Sequence, residues 1–334
     1  MQKVFLTLFF ILLLSCNNKI KQNDNDYTHI IDQANRSVRV SKNINRIVTT
    51  YSPSTAFIFQ LDSSKKLVGV GNKSDLFDIF RKIKPDIARL PSVGSKKGLN
   101  IEAIVNQKPD LVVLFPSKDG EAYAEKFNSL GIAAIIIKPE SSEEIKNTFK
   151  LLGRVLKREE LSEKIIEATD RNLAKLDLMK KRIVRKKRVY FAANGDFFST
   201  YTAKMLQHDM IDLSGAENVA GALIGSNVKV SIEQILTWDP EVIILSRGAF
   251  YSTQSILKDK RFKNLTAVRN KKIYKMPSDL EPLDFPSGGY ILGVLWLAMK
   301  IYPELNEFNL KESFDFFYTL FYGQSFSLLG GMID

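Results

Sequence analysis

The sequence predicts an α/β protein made of two Rossmann-like lobes, each with a central parallel sheet, joined by one long α-helix. Three observations carry this reading. Residues 93–114 (VGSKKGLNIEAIVNQKPDLVVL) recur without a gap at 224–245 (IGSNVKVSIEQILTWDPEVIIL), 131 residues later and identical at seven positions. Apolar runs of strand length alternate with helical segments in both halves, the pattern of parallel sheets. Between the halves, the stretch from Gly153 to Gly195 contains no other glycine and no proline.

The first sixteen residues read as a leader. Lys3 is a short basic region, Val4 to Leu14 is an apolar stretch too short to span a bilayer, and Leu13-Leu14-Ser15-Cys16 closes it. This resembles a bacterial lipoprotein signal, which implies removal of residues 1–15 and lipidation of Cys16, the one cysteine of the chain. Acyl chains would then hold the protein at the outer side of a bacterial membrane without a spanning helix. Residues 16–26 are polar apart from Ile20 and read as a flexible tether.

The first lobe is expected over 27–155. Ile30 to Val40 suggests a hairpin around Asn35, and Arg46 to Thr50 reads as the first core strand. Tyr51-Ser52-Pro53-Ser54 reads as a turn before a helix from Thr55 to Leu61. Leu67 to Val70 is the second strand and Gly71 to Ser74 a polar loop. After the first repeat come a helix from Glu121 to Leu130, a stop at Gly131 and a strand from Ala133 to Ile137. From about Arg158 to Ile183, Leu161, Ile165, Ala168, Leu173, Leu176 and Met179 fall on one helical face, which predicts a connecting helix within 156–185 of about 38 Å. The second lobe, 186–334, begins again with a strand at Arg188 to Ala192. A helix from Thr202 to Leu213, the second repeat, a helix from Gln254 to Asp259 and a strand from Lys272 to Met276 follow. The helices Tyr290 to Ile301 and Leu310 to Phe321 end the chain.

Each repeat copy is one physical unit. A Gly-Ser loop leads to Asn100 or Ser231, either of which can cap a helix, and Glu102 or Glu233 follows in the first turn, where the dipole favours a carboxylate. Pro109 or Pro240 then stops the helix ahead of a buried strand, LVVL or VIIL.

Composition narrows the function. The 334 residues carry a net charge of +11, but no zinc-finger spacing, helix-turn-helix pattern or RNP-like run accompanies it, so nucleic acid is not expected as a partner. Two histidines and no G-x-S-x-G, Walker A, G-x-G-x-x-G or H-E-x-x-H motif argue against an enzyme. With only His29 and His208 available, a bare-metal site of nitrogen and sulfur ligands is not expected either.

The segments RIVTTYSPSTAFIFQL with LVGV, GLNIEAIVNQKPDLVVL, VSIEQILTWDPEVIIL and FPSGGYILGVLWLAMKIYP resemble the class III (cluster A) substrate-binding proteins of bacterial ABC importers for iron-siderophore complexes, haem and cobalamin. The resemblance runs from about Tyr27 to Phe321. It implies a binder that serves an ABC permease and its ATPase; a monomer is expected, and lobes joined by a rigid helix should close by only a few degrees. It also implies that Glu102 and Glu233 dock with arginines of that permease.

Ligand is expected between the lobes, on loops at the carboxyl ends of strands. The candidates are Tyr51, Ser52, Pro53, Lys73, Ser95, Lys96, Lys97 and Ser117 from the first lobe. From the second they are Asn194, Phe197, Tyr201, Arg247, Tyr251, Asp279 and Glu281. Three lysines and Arg247 suit an anionic ligand, a ferric chelate such as an iron-siderophore or an oxyanion such as molybdate. Haem stays open through Tyr51, Tyr201 or Tyr251. Cobalamin binders of the family place aromatics where this chain has Lys73 and Lys96, which counts against cobalamin.

Overall fold

The computed structural model describes residues 24–95, 98–115, 120–305 and 308–333; the predicted leader, Cys16 and most of the tether lie outside them. A hairpin comes first, β1 (Tyr27–Ile31) and β2 (Ser37–Ser41), turning through Asn35 at φ 59°, a conformation that asparagine tolerates better than most residues. It rests on the first sheet, where buried Asp32 accepts the N–H of Ile136 at 3.1 Å.

The first lobe continues through β3 (Ile47–Thr49), α1 (Ser52–Gln60), β4 (Leu67–Gly69), α2 (Asp78–Ile83), the small hairpin β5 (Gly94–Ser95) and β6 (Gly98–Leu99), α3 (Ile101–Asn106), β7 (Leu111–Leu114), α4 (Gly120–Ser129) and β8 (Ala133–Ile136). Its sheet is fully parallel in the order β4-β3-β7-β8. β7 is buried along its whole length, as its four apolar residues require. Two local expectations change. Helix α1 starts at Ser52 rather than after Ser54, because proline in the first turn loses no helical hydrogen bond and presets φ. Helix α2 lies in a stretch given no element by the sequence; Phe77, Phe80 and Ile83 give it an apolar face, but one too short to stand out.

The connecting helix expected within 156–185 is α6 (Glu159–Lys180), and a helix not expected from the sequence, α5 (Ser142–Leu156), leads into it. The chain breaks at Lys157, which takes the left-handed conformation (φ 57°, ψ 49°) and caps α5. Glycine is the usual residue there, so the break has no mark in the sequence. The 22 residues of α6 span about 33 Å.

The second lobe contains β9 (Arg188–Ala192), β10 (Ser199–Tyr201), α7 (Leu206–Leu213), β11 (Glu217–Asn218), β12 (Asn227–Lys229), α8 (Ile232–Trp238), β13 (Val242–Leu245), α9 (Thr253–Lys258), α10 (Thr266–Arg269), β14 (Ile273–Lys275), α11 (Tyr290–Ile301) and α12 (Leu310–Tyr322). Strands β11, β9, β13 and β14 run parallel, while β10 and β12 add an antiparallel edge. The helix expected from Thr202 therefore begins only at Leu206. Thr202 bonds instead to the second repeat loop, its hydroxyl to Gly225 O at 2.6 Å and its N–H to Ser226 O at 3.0 Å.

Equivalent repeat positions do equivalent work. Ile104 and Ile235 are fully buried, and Asn100 and Ser231 cap α3 and α8 by accepting the N–H groups of Ala103 and Gln234. Gly94 and Gly225 both hold positive φ, and a Cβ on either would sit 2.8 Å from a neighbouring atom. Only glycine avoids both penalties.

One continuous apolar core passes through both lobes, from Ile47 and Phe57 by way of Ile165 and Leu176 in α6 to Phe191, Trp296 and Phe317. The halves meet elsewhere as well. The loop from Pro277 to Gly289 reaches the first lobe, where Leu280 O accepts the N–H of Ile79 at 2.9 Å and the N–H of Gly288 donates to Gln60 Oε1 at 3.1 Å. Helix α12 packs on α1, and Lys82 Nζ donates to Leu329 O at 2.9 Å. The chain beyond Leu310, placed with the second lobe by sequence, thus clasps the first. No helix among the described residues is long and apolar enough to cross a membrane.

Candidate functional site

Segments leaving the carboxyl ends of β3, β4, β13 and β14 converge on a cleft of about 400 Å³ between the lobes. Parallel strands set side by side deliver their outgoing loops to one end, which is why an α/β protein binds there. The first lobe contributes Tyr51, Ser52, Asp75, Leu76, Phe77, Asp78 and Arg81. The second contributes Arg247, Gly248, Ser278, Asp279, Leu280, Pro282 and Phe285.

The polar lining is organised around two arginines, one from each half. Arg81 donates to Lys73 O at 2.8 Å and to Leu76 O at 3.2 Å, and pairs with Asp78 at 3.0 Å. Arg247 donates through Nε to Ser278 O at 2.7 Å and pairs with Asp279. Carbonyl groups fix both guanidinium planes, which limits the side-chain entropy lost when an anion binds. The apolar part consists of Leu76, Phe77, Leu280, Pro282 and Phe285, with Phe77 and Phe285 in edge-to-face contact across the lobes at 5.9 Å.

Behind this lining lies a buried polar layer. Asp284 is fully buried, takes the Ser246 hydroxyl and accepts the Arg247 N–H at 3.1 Å, and burial pushes its carboxyl up from the usual range. Tyr51 and Tyr201 are pushed well above the usual phenol range, first by burial and then by carboxylates, Glu140 beside Tyr51 and Asp284 beside Tyr201. Both phenols are therefore neutral at physiological pH and offer O–H groups rather than phenolates.

The sequence candidates divide accordingly. Tyr51, Ser52, Arg247 and Asp279 line the cleft, and Asn194 stands just behind it, its Oδ1 against Gly248 and without a hydrogen-bond partner. The others named from the described residues do not line it. Pro53 is buried in the first turn of α1, and Lys73 turns away to Ala88 O at 2.9 Å. Phe197 packs between Tyr190, Tyr251 and Phe262 in the second lobe's core, an apolar ring taken by the apolar side of the sheet. Tyr201 is buried below the cleft, and the Tyr251 hydroxyl is used by Ala193 O. Glu281 is buried where the lobes join, accepting the Tyr322 hydroxyl at 3.0 Å. Lys96, Lys97, Ser117 and the side chain of Ser95 lie outside the described residues.

Sequence reasoning missed Arg81, Asp78 and Phe77. The spacing of Leu76, Phe77, Phe80 and Ile83 was the available signal, since it places Arg81 on the polar side of a short helix. Among the described residues the charged lining of this cleft is two arginines and three aspartates, with Lys73 turned away from it. Aromatic surface in the cleft is supplied by Phe77 and Phe285. Among the described residues no group of three or more His, Cys, Asp or Glu side chains is placed to hold a metal ion; His208 Nδ1 faces Asn218 Nδ2 at 3.3 Å.

The model of the periplasmic binding protein family matches residues 47–280, which span both sheets and most of the cleft lining. The chain belongs to the periplasmic binding protein family. This binding protein is 26% identical over 325 residues to the molybdate-binding protein MolA of Haemophilus influenzae, covering 89% of this chain and 91% of that one. It is 23% identical over 236 residues to a vitamin B12-binding protein of Vibrio parahaemolyticus, covering 71% and 82%. Among solved structures it is similar to a periplasmic solute binding protein of Veillonella parvula at 28% identity and a TM-score of 0.77, covering 90% of this chain and 94% of that one. The solute-binding role and the two-lobed fold implied by the sequence therefore hold.

Proposed function

We propose that this chain is the lipid-anchored solute-binding component of an ABC importer, and that its cargo is an anionic metal chelate, a ferric siderophore first among them. One observation carries the choice of cargo: the cleft sets Arg81 and Arg247, one from each half, beside an apolar and aromatic wall. Guanidinium groups recognise the negative oxygens of a catecholate, carboxylate or hydroxamate, and the wall takes the organic body that a chelate has and a bare oxyanion lacks. Tyr201 is buried below the cleft and the Tyr251 hydroxyl is bonded to Ala193 O, so of the three tyrosines only Tyr51 lines the cleft, which favours this reading over haem.

A second reading, an oxyanion such as molybdate, is favoured by the similarity to MolA along nearly the whole chain. Native mass spectrometry of the purified protein with ferric tris-catecholate, haemin, cyanocobalamin and sodium molybdate separates the readings. Retention of the catecholate complex alone supports the first. Retention of molybdate alone replaces it with the second, and retention of haemin or cyanocobalamin alone removes both.

Delivery to the permease rests on Glu102 and Glu233, which are exposed at equivalent positions in the first turns of α3 and α8. Paired carboxylates give a two-point electrostatic contact that sets orientation. Anchoring through Cys16 is tested by acyl-chain labelling in cells, where Cys16→Ser should abolish the label and release the protein from membranes.

A further inference from the structure

The two cleft arginines are each matched with an aspartate that is itself 65% exposed: Arg81 with Asp78 and Arg247 with Asp279. The second pair is built with more care than a surface ion pair needs. Ser278 stands at φ +80°, a conformation costly for a residue with a side chain. That turn points the Ser278 carbonyl at Arg247 Nε and places the next residue, Asp279, on the terminal nitrogen of the same guanidinium. The Ser278 hydroxyl supports the turn by accepting the N–H of Leu280 at 3.3 Å. The loop carrying Asp279 is moored to the first lobe through Leu280 and Gly288, whereas Arg247 leaves β13 of the second.

We propose that Asp279 is an internal stand-in for the ligand: it occupies the face of Arg247 that an anionic cargo takes, and binding exchanges one carboxylate for the other. This rests on the reading of the cleft as an anion site and adds to it a residue that opposes binding. Its chemical consequence is selectivity. A ligand must outcompete a carboxylate held at high local concentration, so weakly basic monoanions such as chloride are excluded and multiply charged chelate or oxyanion faces are admitted.

The test uses Asp279→Asn, Arg247→Gln and the double variant, titrated calorimetrically with ferric tris-catecholate and with sodium molybdate; thermal melting checks that each is folded. Asp279→Asn should bind its probe about fivefold more tightly, the scale of an exposed ion pair. Arg247→Gln should bind it more weakly, and adding Asp279→Asn to that variant should bring no gain. Unchanged or weaker binding by Asp279→Asn, with Arg247→Gln still impaired, overturns the stand-in while leaving the anion site in place. Undiminished binding by Arg247→Gln, or no binding of either probe to any form, overturns the anion reading and the stand-in with it.

Discussion

Glu140 and Asp209 each hold the start of the other's helix across the lobe boundary. Glu140, just ahead of α5, accepts the N–H of Leu206 that opens α7, and Asp209, in the first turn of α7, accepts that of Ser142, which opens α5, at 2.5 Å. First-turn amides have no partner within their own helix, and each carboxylate also meets the positive end of a dipole. Asp209→Ala and Glu140→Ala should each cost about 1 kcal/mol of stability, and Asp209→Asn, which keeps an acceptor, should cost less. Urea denaturation reads this, and neutral alanine variants would remove the exchange from any account of how the lobes are joined.

Glu281 predicts a pH dependence. Burial raises its carboxyl from 4.5 to about 7, with the Tyr322 hydroxyl pulling it back. Because the folded value lies above the unfolded one, this stability is complete below about pH 4.5 and is lost as pH rises through 7. The loss is on the order of 3 kcal/mol. Glu281→Gln keeps an acceptor for Tyr322 and should flatten the fall in urea midpoint between pH 5 and pH 8. Parallel pH profiles for the two proteins would contradict this assignment.

The repeat glycines should differ in tolerance. At Gly94 the obstacles to a Cβ are backbone atoms, Gly98 O at 2.8 Å and Leu99 Cα at 2.9 Å, whereas at Gly225 the obstacle is a methyl of Val228. A side chain can move aside where a backbone cannot. Gly94→Ala should therefore cost about 2 to 3 kcal/mol and Gly225→Ala nearer 1. Equal melting temperatures for the two variants would count against this ordering.

Charge reversal at Glu102 and Glu233 addresses the partner. Both side chains are exposed and outside the cleft lining, so Glu102→Lys with Glu233→Lys should stop import in cells while leaving ligand affinity within about twofold. Uptake that persists in the double variant would rule out the docking role.

What the sequence made legible follows from how far each signal reaches. The repeat located both sheets and both caps, because a Gly-Ser loop, an N-cap and a buried tetrad act within a dozen residues. Two helices near the cleft were harder. Helix α2 is six residues long, too short for periodicity, and the break at Lys157 rests on a conformation its residue type does not advertise. Side-chain direction was the hardest to read. Lys73 and Glu281 sit in loops that reach the cleft, yet one turns to Ala88 and the other is taken up by Tyr322. Those choices depend on partners 15 and 41 positions away, beyond any local pattern.

The lobes are joined at several places, by α6, by the loop from Pro277 to Gly289, by α12 on α1 and by α5 against α7. A body strapped at one edge can announce its cargo by folding shut, but one strapped at several keeps nearly the same outline. A permease that must tell a laden carrier from an idle one then has little to gain from measuring the gap between the halves. On the exchange proposed for Asp279, the difference it would read is which charges stand uncovered at the mouth of the cleft.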